Sequence, residues 1–232
     1  MNKLILFVTT LFALVGFAQD QSNEVIMDSL DNKYREDQFY LGVTYNLLGN
    51  KPDGLAQNGF STGIQLGYIR DFPINKRRNI AIGIGLGYSY NSINQNLQIL
   101  ESGQGQLSYQ IVSNDMFRSN RLSLHLVELP IEFRWRTSTA KAFSFWRIYT
   151  GIKFGYVFVS KYSFKGDPED ITINNVQGIN DLQYGLTFSA GYDKINVNFY
   201  YGLSSLFEDS AKLNNGNIDS NLVKIGLIIY IL

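Results

Sequence analysis

Residues 80–91 read IAIGIGLGYSYN, and their side chains divide by parity into two classes. Even positions carry Ile80, Ile82, Ile84, Leu86, Tyr88 and Tyr90, and odd positions carry Ala81, Gly83, Gly85, Gly87, Ser89 and Asn91. Successive side chains of a strand point to opposite faces, so one face is apolar and the other is small. In a water-soluble sheet the face away from the core meets solvent and carries residues such as Lys, Glu and Thr. A row of glycines in that place implies a crowded interior instead. The apolar face then points outward, toward lipid.

The same alternation recurs in seven further segments: 39–47, 60–71, 125–136, 143–164, 182–192, 195–203 and 222–232. With 80–93 this makes eight strands, the smallest common number for a membrane barrel, and the expected fold is an all-β, eight-stranded antiparallel up-and-down transmembrane barrel. The links after the second, fourth and sixth segments (72–78, 137–142, 193–194) are short. Those after the first, third, fifth and seventh (49–59, 94–122, 165–178, 208–219) are longer and polar. Outer-membrane barrels segregate short periplasmic turns from long external loops in this way, whereas a soluble β-sandwich has no reason to. Parity also survives the turn at Asp193-Lys194: pairing Tyr192 with Ile195 sets Ala190 against Val197 and Phe188 against Phe199.

Residues 1–18 combine Lys3, an apolar run over 4–17 and small residues at Gly16 and Ala18, which predicts a secretory signal cleaved after Ala18. The run is shorter than the roughly 20 residues a spanning helix needs. The domain reading is a signal peptide over 1–18, a periplasmic segment over 19–38 and the barrel over 39–232. Within 20–38, Ile26, Leu30 and Tyr34 fit either a short amphipathic helix or a solvated tether. The chain has no Cys, which excludes disulfides, thiol chemistry and a lipid-modified N-terminal cysteine. Its 20 basic and 20 acidic residues balance, which argues against nucleic acid as a partner.

Charged residues break the small-and-polar rule on the inner face. Glu128, Glu132, Arg134 and Arg136 share inward parity in the fourth segment, and Arg147, Lys153 and Lys161 are expected to share it in the fifth. A turn closing Arg136 on Phe143 would set Glu132 opposite Arg147, and a register two residues looser would set Glu128 opposite Lys153. These residues read either as a charge network filling the lumen or as a transport path. An eight-stranded interior is just wide enough for its own side chains, which favours the network. Pro130 lies within the strand and removes a ladder donor, so a bulge or local opening is expected there.

The sequence LVELPIEFRWR, residues 126–136, resembles the "LELP" strand of the porin-like outer-membrane β-barrel family of Bacteroidota, which includes PorT-like proteins. FWRIYTGIKFGYVF, residues 145–158, is similar to the strand that follows it. The resemblance implies an eight-stranded outer-membrane barrel and, through PorT, a role in type IX secretion. In the last segment, LVKIGLIIYIL, the spacing of Lys224, Gly226, Ile229 and Ile231 resembles the C-terminal signal read by the barrel-assembly machinery, although it ends in Leu232 where many signals end in Phe or Trp. A plain final apolar strand explains the same residues.

His125 is the only histidine and shares an outward face with Ser123. Some outer-membrane lipid A deacylases carry His and Ser on the lipid side, but a catalytic base needs an orienting acid, and Glu128 falls on the opposite face. Three functions remain open. The leading one is a non-enzymatic barrel serving the envelope or secretion through partner proteins; the others are a small porin and a lipid A-modifying enzyme. No cofactor or metal is expected, and the surrounding partner is outer-membrane lipid.

Overall fold

A computed structural model of the chain describes residues 37–101, 106–137, 145–214 and 216–231. The signal segment, the 20–36 stretch and Leu232 lie outside the described residues. Thirteen strands appear in order: β1 (Gln38–Gly49), β2 (Thr62–Pro73), β3 (Ile80–Asn94), β4 (Leu97–Glu101), β5 (Leu107–Ile111), β6 (Phe117–Arg136), β7 (Trp146–Gly166), β8 (Ile171–Asn174), β9 (Leu182–Tyr192), β10 (Ile195–Gly202), β11 (Lys212–Leu213), β12 (Gly216–Asn217) and β13 (Asn221–Ile231). Eight of them, β1, β2, β3, β6, β7, β9, β10 and β13, form an antiparallel meander, and β13 pairs back onto β1 to close it. Closure leaves no free edge in the wall, as a spanning sheet requires. The Asp193-Lys194 turn sets the expected register, with Tyr192 on Ile195, Ala190 on Val197 and Phe188 on Phe199. Asp193 sits at φ 56°, the left-handed conformation that tight hairpins favour.

The glycine face of β3 proves to be an interior one. A Cβ on Gly83 would lie 2.7 Å from Arg134 Cδ, and one on Gly87 would overlap the Tyr40 hydroxyl. The glycines therefore make room for long side chains crossing the lumen. Opposite them, Ile84 and Leu86 are exposed on the outer wall, as are Val127, Leu129 and Ile131 of β6. Aromatic residues gather toward both ends of this apolar band. Trp135, Trp146 and Tyr192 are exposed at the short-turn end, and Tyr88, Tyr90, His125 and Phe158 cluster toward the long-loop end.

Three details of β6 and β7 differ from the sequence expectation, and a fourth meets it. First, β6 begins at Phe117 rather than at residue 125. In its upper part Leu122 and Leu124 point inward and are buried, while Arg121 is exposed. The polarity of the two faces has inverted, because above the bilayer the outside is water and the inside is an apolar core. Second, Lys161 points outward. The β6–β7 register shifts between His125, which faces Val159, and Leu126, which faces Val157, so Phe158 is an inserted residue. This bulge exchanges the faces of β7 beyond it, burying Tyr162 and Phe164 and leaving Lys161 and Lys165 exposed.

Third, the register is looser than either expected one. Arg136 faces Arg147, Glu132 faces Gly151, Glu128 faces Gly155 and Pro130 faces Lys153. Fourth, of the bulge or local opening expected at Pro130, the strand shows the opening. The β3–β6 ladder runs from Ile84 with Ile131 to Gly87 with Glu128, and the residues between are unpaired without any shift of register.

The long links are folded. The β3–β6 link carries the β4–β5 hairpin, β8 adds onto the top of β7, and β11–β12 form a small hairpin before β13. Their side chains join the upper barrel wall in one apolar core that includes Leu55, Ile93, Leu97, Ile99, Leu122, Leu124, Tyr162, Phe164, Phe207 and Ile218.

Candidate functional site

The lumen is filled in two polar layers beneath that apolar cap. Near the short-turn end, Asp71 at the end of β2 receives Arg134 (Nη1 to Oδ1, 3.1 Å) and Arg136 (Nη2 to Oδ2, 2.8 Å). Arg134 also donates through Nε to Glu132 Oε2 at 3.3 Å and through Nη2 to Gln38 Oε1 at 2.7 Å. Its guanidinium lies 4.2 Å from the centroid of the Tyr149 ring, which in turn packs edge-on against Tyr230 at 5.4 Å. Arg136 donates twice to the Arg78 carbonyl of the β2–β3 turn, at 3.2 and 2.9 Å, tying the strand wall to that turn. Arg147 is buried beside this layer, its guanidinium 4.3 Å from the centroid of the Phe145 ring.

The second layer lies nearer the middle of the barrel and is built on Glu128. It accepts Lys153 Nζ at 3.0 Å, Lys224 Nζ at 3.5 Å and the Ser89 hydroxyl at 2.8 Å. Lys153 extends to Gln65 Oε1 at 2.8 Å, and Gln65 donates to Asn198 Oδ1 at 3.2 Å, so the layer spans the lumen from β7 through β2 to β10. Lys224 lies 5.0 Å from the Tyr200 ring centroid. An amide and hydroxyl ladder of Thr44, Asn46, Asn91 and Ser89 continues upward toward the cap. In the cap, Tyr109 donates to the Gln177 carbonyl, and its pKa is pushed up to about 12 by burial and by nearby Glu208.

Six of the seven charged residues expected on the inner face are there and buried, namely Glu128, Glu132, Arg134, Arg136, Arg147 and Lys153, and Lys161 is the exception. Glu128 and Lys153 meet diagonally, through side-chain reach, although they are not directly opposite. Glu132 is bonded to Arg134 of its own strand, not to Arg147. Sequence reasoning missed Asp71, Gln38 and the part played by Lys224. Asp71 and Lys224 have inward parity within their segments, a signal that was available. Of the proposed insertion residues, Lys224 and Gly226 face the lumen, while Ile229 and Ile231 are exposed on the lipid side.

On the outer wall, Ser123 and His125 take separate partners. The Tyr88 hydroxyl lies 2.7 Å from His125 Nδ1, and the Tyr90 hydroxyl lies 3.3 Å from Ser123 Oγ. The cross-strand neighbours of His125 are Tyr90 and Val159.

Of the comparisons with known proteins, the family match agrees with this architecture. The outer membrane protein beta-barrel domain family matches residues 17–208. No curated protein matches the chain in sequence. Among solved structures, Ail, the attachment invasion locus protein of Yersinia pestis, aligns at 13% identity over 84% of this chain and 97% of its own, with a TM-score of 0.34. A triple mutant of the Rhodopseudomonas blastica porin aligns at 8% identity over 85% of this chain and 100% of its own, with a TM-score of 0.21. With a family match over most of its length and a closed wall that is apolar outside and charged within, the chain belongs to the outer membrane protein beta-barrel domain family and is an integral protein of the outer membrane.

Proposed function

We propose that this protein is a non-conducting, non-enzymatic barrel that serves the envelope through contacts with other proteins, as an accessory of type IX secretion of the PorT-like kind. The observation that carries the first part is the double closure of the lumen. Two layers of buried ion pairs fill the lower barrel, and the apolar cap fills the upper. A solute would have to break ion pairs at low dielectric and then cross an oily core. The separate hydrogen bonds of Ser123 and His125 to tyrosines, with Tyr90 and Val159 beside the imidazole, speak against a catalytic pair. The similarity of residues 126–136 to the PorT-like strand supports the secretion role. Ile229 and Ile231, exposed beside lipid on the closing strand, fit an edge presented to the barrel-assembly machinery during insertion.

In planar bilayers the purified protein is expected to give no steady large conductance; large ion-selective steps would favour a small porin instead. Purification from outer membranes in mild detergent tests the partner reading. Secretion components are expected to accompany the folded barrel, and a barrel that consistently emerges alone would remove the secretion role.

A further inference from the structure

The outer wall just above the upper aromatic cluster has a chemistry that the closed lumen does not use. Tyr90 and Phe158 lie 5.0 and 6.2 Å from the His125 ring and mark the upper limit of the lipid-facing band. On the same outward face, the next rows pair Ser123 with Lys161, Arg121 with Ser163 and Ser119 with Lys165. Neighbouring strands lie about 4.8 Å apart and successive same-face residues under about 7 Å apart, so Arg121 stands diagonally between Lys161 and Lys165 on a hydroxyl-lined face. All three cations are exposed, and Arg121 Nε donates to Asn94 Oδ1 at 3.2 Å. Lys161 comes to this face only through the Phe158 bulge.

Beside the cations, on the β3 side, lies an open cavity of about 630 Å³ lined by Gln57, Asn58, Phe60, Asn94, Asn114 and Arg121 among others. Amide side chains around an exposed aromatic ring suit the hydroxyls and flat faces of a sugar. The acids Asp115, Asp167 and Asp170 line a smaller pocket that shares Phe117 and Arg118 with this cavity, and Asp170 accepts from the Gly166 N–H just beyond Lys165, away from Arg121 and Lys161.

We propose that this face binds a phosphorylated glycolipid of the outer leaflet, of the lipid A type. Arg121 and Lys161 take its phosphate, the amide-lined cavity takes its sugar, and its acyl chains run down over His125, Phe158 and Val127. Continuity with the lipid-facing band singles out a lipid, since a soluble anion would use only the upper half of the surface. Neither the conductance nor the partner experiment bears on this site.

The test titrates the detergent-purified protein with diphosphoryl lipid A, with the same lipid after phosphatase treatment, with phosphatidylethanolamine and with inorganic phosphate, and counts bound molecules by native mass spectrometry. Removing the phosphates is expected to weaken binding by about ten-fold or more, and Arg121→Gln combined with Lys161→Gln should produce a similar loss. Lys212→Gln, in the cap, should bind as the unaltered protein does. The proposal is overturned if dephosphorylated lipid or phosphatidylethanolamine binds equally well, if inorganic phosphate binds as tightly as the lipid, or if the folded double variant keeps its affinity. Should the double variant not fold, the phosphatase comparison on the unaltered protein decides alone.

Discussion

Asp71 shows what a single buried side chain does for this lumen. It is fully buried and meets both Arg134 and Arg136, so Asp71→Ala leaves two buried guanidinium groups without that carboxylate. The expected cost is about 3–5 kcal/mol, typical of removing one partner from a buried ion pair. Urea titration of the folded barrel, read as the heat-modifiable gel band, measures it; a loss below about 1 kcal/mol would show that other groups carry the load. Residue identity and parity were enough to place Glu128, Glu132, Arg134, Arg136, Arg147 and Lys153 in the lumen. They could not pair them, because parity fixes a register only in steps of two and the 137–145 turn holds no strong length signal. Hence Glu132 faces Gly151 where Arg147 was expected. Asp71 was overlooked because it stands where the strand pattern gives way to the turn.

At the scale of the element, β6 and β7 obey two opposite patterning rules along one strand. Below the aromatic cluster apolar residues face out, and above it they face in, as Leu122, Leu124, Tyr162 and Phe164 do. A reading that follows outward apolar residues ends at His125, which is why the upper third of β6 looked like a loop. The exchange on β7 depends on the inserted Phe158. Deleting that residue would join inward Val157 directly to outward Val159 and keep Tyr162 and Phe164 in and Lys161 and Lys165 out, whereas inserting one Ala after Ser160 would turn Tyr162 and Phe164 out to water and Lys161 and Lys165 into the apolar core. The insertion is expected to abolish the folded, heat-modifiable band, whereas deleting Phe158, which keeps every face as it is, should retain most of it. Equal amounts of folded protein from the two would show that the facing of residues 161–165 is dispensable.

For the molecule as a whole, the lower barrel and the cap are separate solutions to closing one tube, and they can be tested apart. Replacing residues 96–112 with a short Gly-Ser link removes the β4–β5 hairpin and much of the cover over Leu122 and Tyr162. The shortened protein is expected to assemble and to remain non-conducting, since the layers around Asp71 and Glu128 still bridge the lumen. Steady current through it would locate the seal in the cap. The seam between β1 and β13, where Phe39 meets Ile231, has a different consequence. The strands that close the wall are separated by nearly the whole chain, so closure bears a large loop entropy and must come late in folding. Until then β1 and β13 are open edges, and the growing sheet is most exposed to aggregation at the moment before it becomes most resistant to it.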